Sequence, residues 1–207
     1  MIHSSSSRDS GPRDRDGRDG DGGNEPGDGG NEPGDGGNEP GEERDDAGGG
    51  DGERRVRVGV GELAVATEGE TLTTSGLGSC VAVALVDERT GVRGLLHAML
   101  PASDEARTAA ARRGKYVDSG IHGLIDELVG VGAAPDRLEA RVAGGAEMLD
   151  LTDAVGPRNV ERAERCLAAA GVPVVASDVG DGVGRTVRFE AGGGLVVRAA
   201  DGFERTL

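Results

Sequence analysis

From Arg55 onward, apolar and polar positions fall into patterns that predict regular structure. "RVRVGVGELAVAT" alternates apolar and polar residues over Arg55 to Thr67, the two-residue period of one or two short strands. "SCVAVALVD" and "VRGLLHAML" are two Val- and Leu-rich runs separated by "ERTG", a polar loop closing on glycine, which predicts a β-hairpin. In "YVDSGIHGLIDELVGVGA", Ile121, Leu124, Ile125, Leu128 and Val129 recur at helical spacing, with Gly132 as the stop. "LEARVAGGAEML" predicts a strand running into a Gly-Gly turn. "GPRNVERAERCLAAAGVPVVASDVG" predicts a helix with Asn159 at its N-cap and Gly171 at its end, then a strand. "GRTVRFEAGGGLVVRA" predicts a closing hairpin. Strands with two interspersed helices give an α+β domain in which the helices pack on a mixed β-sheet.

The first 54 residues follow another pattern. Asp21 to Gly41 is three copies of "DGGNEPG", preceded by "RDRDGRDG" and followed by "EERDDAGGGDGE". With almost no apolar residue to bury, such a segment does not offset its ordering entropy, so 1–54 is predicted to be a disordered acidic tail and 55–207 the single domain. A coiled coil fails because no residue of the seven can serve as a core position.

Charge narrows the function. Formal net charge is −15, and Lys115 is the only lysine, so the chain repels phosphate backbones and nucleic acid binding is disfavoured. That composition is also the one carried by cytoplasmic proteins of halophiles, where salt screens self-repulsion. No apolar stretch approaches the ~18 residues of a membrane span, and the N-terminus has no signal-peptide core. The sequence reading is therefore cytoplasmic. Cys80 and Cys166 do not make a disulfide framework, and His3, His97 and His122 show no metal-ligand spacing. Gly59, Gly61 and Ala64 imitate a dinucleotide-binding fingerprint, but strand-like residues follow where a helix is required.

One pair of residues carries chemistry. If Asp87 pairs with Val92 across the four-residue loop, Ala82 faces His97, and Cys80 lies one diagonal away on the same face, about 7–8 Å between Cα atoms; if the loop closes two residues differently, Cys80 and His97 face each other directly. A histidine can draw the proton from a thiol to make a nucleophile, and the tight turn "GLGS" offers backbone N–H groups, at Gly78 and Ser79, to a developing oxyanion. A small buried core residue is an equally good account of Cys80 on the pair alone. Cys166, beside Leu167 in a helix, reads as core, and His122 as a partly exposed helix residue.

From Val58 to Arg198 the chain resembles the CheD family, chemoreceptor glutamine deamidases of chemotaxis, through "LGSCVAV", "HAMLP", "YVDSGIHGLIDEL", "ARVAGGAEML" and "GPRNVERAERCLAAAGVPVVASDVG". The resemblance implies a three-layer α/β sandwich similar to the catalytic domains of deamidating toxins. It assigns the nucleophile to Cys80, the base to His97 and the third member to Thr74, which adjoins Thr73. It implies hydrolysis of receptor glutamine to glutamate through a thioester, with ammonia released and no cofactor. It places Arg141 where relatives carry lysine. Chemoreceptors, a CheC-type phosphatase and archaeal motor-switch adaptors are the implied partners. A rival reading is a non-enzymatic regulator that binds and stimulates the phosphatase.

Overall fold

A computed structural model of the chain describes residues 54–102, 113–147 and 154–207. The acidic repeats read as a tail lie outside the described residues. Among the described residues, ten strands and two α-helices follow the order β1 (Arg55–Arg57), β2 (Leu63–Ala66), β3 (Thr71–Leu77), β4 (Val81–Asp87), β5 (Val92–Ala98), α1 (Val117–Gly130), β6 (Leu138–Gly144), α2 (Val155–Ala169), β7 (Val174–Val179), β8 (Arg185–Phe189), β9 (Leu195–Ala199) and β10 (Glu204–Thr206).

The strands form two five-stranded sheets, β2-β5-β4-β6-β7 and β1-β3-β8-β9-β10. Each contains one parallel pair, β6 with β7 and β1 with β3, among antiparallel neighbours. Every residue of β4 and β5 is buried, because this central sheet is covered on both faces. Odd positions of β4, Val81, Val83 and Leu85, meet the helices, whose Ile121, Leu124, Leu128, Ala163 and Leu167 complete one core. Even positions, Ala82, Ala84 and Val86, join Leu72, Leu77, Val187, Phe189 and Val197 of the second sheet in another. Helices, central sheet and second sheet are thus the three layers.

The predicted β4–β5 hairpin pairs Asp87 with Val92 and Ala82 with His97, the first of the two registers that leave Cys80 and His97 on one face. Its far end is pinned by Asp87, whose carboxylate accepts from Arg137 Nη2 at 2.6 Å, Arg137 Nε at 3.1 Å and the Ala134 N–H at 2.9 Å. The glycine-rich stretch after β1 is a strand–turn–strand, as its context predicts.

Three details depart from the sequence reading. In α1, Ile121, Leu124 and Leu128 face the sheet, but Val129 is exposed, because it lies one ~100° step beyond Leu128 around the helix. Asn159 is not an N-cap. The helix begins at Val155 with Ala154 before it, and Asn159 sits fully buried in the second turn. The third departure is the second sheet itself, whose strand β3 comes from "TLTTSGL", a threonine-rich segment interrupted by a bulge between Thr74 and Leu77. Gly76 occupies that bulge at φ 76°, and the extra residue turns both Thr74 and Leu77 inward.

Candidate active site

Thr74 on the second sheet and His97 on the central sheet meet across the interior of the sandwich, both essentially without solvent contact. Thr74 Oγ1 lies 2.7 Å from the Val58 carbonyl oxygen and 2.7 Å from His97 Nδ1. A hydroxyl has one proton, and a carbonyl can only accept, so that proton goes to Val58. Thr74 must then accept from Nδ1–H. The imidazole is fixed as the Nδ1-protonated tautomer, which leaves Nε2 with a lone pair. Nε2 is buried and has no hydrogen-bond partner among the described residues. Burial also holds the pKa of His97 below the ordinary imidazole range.

The backbone of His97 is clasped by the turn that imitates a nucleotide-binding fingerprint. The Gly61 N–H donates to the His97 carbonyl at 2.9 Å, and the His97 N–H donates to the Glu62 carbonyl at 3.0 Å. "GVGE" therefore positions an imidazole and leaves no helix terminus for a pyrophosphate.

Cys80 precedes β4 on the same face as Ala82 and His97 and packs, half-buried, at the margin of the core between the sheets. Its thiol pKa is raised by desolvation, and its own backbone N–H opposes that rise. The loop carrying it is held from behind by three successive carbonyls. Gly78 O accepts from the Ala146 N–H at 2.8 Å, Ser79 O from Asn159 Nδ2 at 2.8 Å, and Cys80 O from the Gly145 N–H at 2.7 Å. The Gly-Gly turn comes so close that a Cβ on Gly144 would sit 2.4 Å from Cys80 O. The Gly78 N–H is spent on Gly76 O at 3.0 Å, whereas the Ser79 and Cys80 N–H groups make no backbone hydrogen bond among the described residues.

Of the other sequence candidates, Thr73 points away from His97, half-exposed and opposite Arg188. Cys166 is buried in the helix-facing core, as read from sequence, with its thiol pKa raised chiefly by desolvation. His122 is exposed on α1, its Nδ1 2.8 Å from the Asp118 carbonyl oxygen. Arg141 turns to the C-terminal strand region, donating from Nε to Leu207 O at 3.2 Å. Sequence reasoning did not assign a site role to Val58, Gly61, Glu62 or Asn159, because three of them act through backbone atoms and the fourth reaches the loop from 80 residues away.

The arrangement combines a half-buried thiol, a buried imidazole of fixed tautomer and a backbone loop in which the Ser79 and Cys80 N–H groups make no backbone hydrogen bond among the described residues. That is the equipment of a protein able to perform nucleophilic attack by sulfur on a carbonyl carbon. The family model for CheD chemotactic sensory transduction matches residues 99–199. A Haloarcula marismortui protein named probable chemoreceptor glutamine deamidase CheD is 41% identical over 71% of this chain and 86% of its own length. Its Thermococcus kodakarensis counterpart is 43% identical over 68% of this chain and 89% of its own length. The Bacillus subtilis chemoreceptor glutamine deamidase CheD is 37% identical over 65% of this chain and 84% of its own length. This chain belongs to the CheD family. No helix among the described residues is long and apolar enough to cross a membrane.

Proposed function

We propose that this chain deamidates selected glutamine side chains of chemoreceptors, using Cys80 as nucleophile, His97 as acid and base, and Thr74 to orient the imidazole. The observation that carries the reading is His97 Nε2, buried and without a hydrogen-bond partner among the described residues, on a ring whose Nδ1 is tied to Thr74 and on the same face of the sandwich as Cys80.

The thiol proton passes to Nε2 as sulfur adds to the carboxamide carbon, and the oxyanion that forms is met by the N–H groups of Ser79 and Cys80. Protonated His97 returns the proton to the leaving nitrogen, ammonia departs, and a thioester remains. Water then adds to the thioester while His97 takes its proton. Collapse frees the glutamate, and the proton held by His97 returns to sulfur. The balance is glutamine plus water giving glutamate plus ammonia.

A thiol and an imidazole both kept neutral by burial suit this cycle, since neither charge exists until substrate brings the reaction forward. The reading places the chain in the cytoplasm with receptor segments as substrate and a CheC-type phosphatase or a motor-switch adaptor as binding partner. The test is mass analysis of receptor peptides after incubation with the protein. The parent chain converts glutamine to glutamate and Cys80→Ser does not. Equal conversion by both would remove Cys80 from the nucleophile role, whereas conversion by neither, with CheC-type binding intact, would replace the deamidase reading by the regulator reading.

A further inference from the structure

Asn159 is buried in α2, and a single amide group there touches both halves of the site. Its Nδ2 donates to Ser79 O at 2.8 Å and to Met99 O at 3.1 Å. Ser79 O belongs to the peptide that joins Ser79 to Cys80. In a trans peptide, the carbonyl and the N–H of one plane point in opposite directions. Holding Ser79 O from the helix side therefore turns the Cys80 N–H the other way, toward the face where the thiol lies. Met99 O lies two residues beyond His97, so the same amide ties the nucleophile loop to the end of the strand that carries the base.

We infer that Asn159 is a positioning residue of the site: it aims the Cys80 N–H at sulfur and at the oxyanion that forms beside it, and it sets the nucleophile loop against the His97 strand. A capping role is closed to it, since it stands in the second turn of the helix. A purely apolar position there would leave Ser79 O without the Asn159 donor, and no other donor to Ser79 O is seen among the described residues. The neighbouring carbonyls, Gly78 O and Cys80 O, are held by backbone N–H groups of the Gly-Gly turn. Asn159 is thus the side chain through which a substitution can release the middle peptide alone. The inference rests on the deamidase reading only for what the oxyanion is.

The consequence is measurable without any receptor. The Cys80 N–H opposes the rise in its own thiol's pKa, so releasing it leaves the thiolate less supported. The experiment follows alkylation of Cys80 by iodoacetamide as a function of pH in the full-length chain, in Asn159→Ala, in the isosteric Asn159→Asp, and in Arg137→Ala. Arg137 holds Asp87 at the opposite end of β4 and serves as a control for general loosening.

Asn159→Ala is expected to move the midpoint of the alkylation profile upward and to slow labelling at neutral pH by about tenfold, the scale of one hydrogen bond to a charged group. Asn159→Asp moves it the same way, through a carboxylate facing two carbonyls. Arg137→Ala lowers the melting temperature yet labels like the parent. If Asn159→Ala does not fold, Asn159→Asp decides. Labelling of the folded Asn159 variants at the parental rate and midpoint overturns the inference, as does an equal shift in Arg137→Ala. A protein that shows the expected shift but never deamidates a receptor peptide overturns the deamidase reading and leaves Asn159's role standing.

Discussion

Thr74 Oγ1 stands 2.7 Å from both the Val58 carbonyl oxygen and His97 Nδ1, so one hydroxyl proton decides the tautomer of the imidazole. Thr74→Ala removes the acceptor for Nδ1–H and frees the ring to turn or to exchange tautomers. Deamidation by Thr74→Ala is expected to fall roughly ten- to hundredfold in kcat, about 1.4 to 2.7 kcal/mol. His97→Ala costs more, about 10²- to 10⁴-fold, because the group that moves the proton is gone. Thr74→Ser keeps the hydroxyl and most of the rate. Nitrogen-15 spectra of the ring report the tautomer directly: an Nε2-protonated His97 in the parent would contradict the assignment.

Burial lowers the pKa of His97, and the sign of the pH effect follows. The unfolded chain takes up this proton near pH 6.5, and the folded chain only at a lower pH. Between the two, the unfolded state binds more protons, so stability is lost as pH falls from about 6.5 toward the folded pKa. Denaturant melts between pH 5 and 7.5 should show that slope, and His97→Ala should reduce it. The acid limb of kcat/KM should likewise lie below about 6.5, where an ordinary imidazole is half protonated. An acid limb above that value would mean the imidazole gains a proton more easily in the site than in water.

Cys80 and Cys166 are distinguished by access and by the base. A mild alkylating agent under native conditions should label half-exposed Cys80 and spare Cys166, which is 8% exposed and packed against the helices. His97→Ala should slow the labelling of Cys80. Peptide mapping that finds Cys166 labelled first removes Cys80 from the nucleophile role.

Gly144 has φ 102°, and a Cβ there would lie 2.4 Å from Cys80 O. Gly144→Ala therefore displaces the nucleophile loop and strains its own backbone, by about 1–3 kcal/mol for the conformation alone. The variant should melt at a lower temperature and lose deamidation out of proportion to its folded fraction. A variant that folds and deamidates like the parent would show that the loop tolerates movement.

Asp87 is buried at the closed end of the β4–β5 hairpin, and its pKa is held well below the carboxylate range by hydrogen bonds from Arg137, with Ala134 and Arg89 N–H adding to them. The stability it contributes is present above the ordinary carboxylate pKa of about 3.9 and is lost as pH falls through the depressed value. Arg137→Ala should lower the melting temperature at neutral pH and flatten its dependence on acid below pH 4. Identical acid unfolding curves for the two proteins would remove the pair from the account of stability.

The hairpin bearing Cys80 and His97 was legible in sequence because "ERTG" fixes the loop length, and an even loop places position 80 on the same face as position 97. The helix-facing core was legible from 3.6-residue spacing. The second sheet was not. "TLTTSGL" alternates weakly, contains a bulge at Ser75 and Gly76, and finds its apolar partners in Val187 and Phe189, more than a hundred residues on. Thr74 could therefore be named by resemblance but not by pattern. Asn159 looked like a cap because Asn commonly begins helices. The helix instead begins at Val155, where Gly156 packs so closely that an added Cβ would lie 2.4 Å from Ala146 O, and Asn159 falls in its second turn.

Desolvation of the half-buried Cys80 thiol has a consequence for oxidation. Peroxide reacts with thiolate, not with thiol, so a Cys80 whose thiol pKa is raised by desolvation is a poor target for oxidation to sulfenic acid. Many cysteine nucleophiles are kept as thiolate at rest and lose activity to oxidants for that reason. Here the desolvation that slows unprompted reaction also shields the sulfur, so peroxide should inactivate the resting protein slowly, and faster as pH rises toward the elevated thiol pKa.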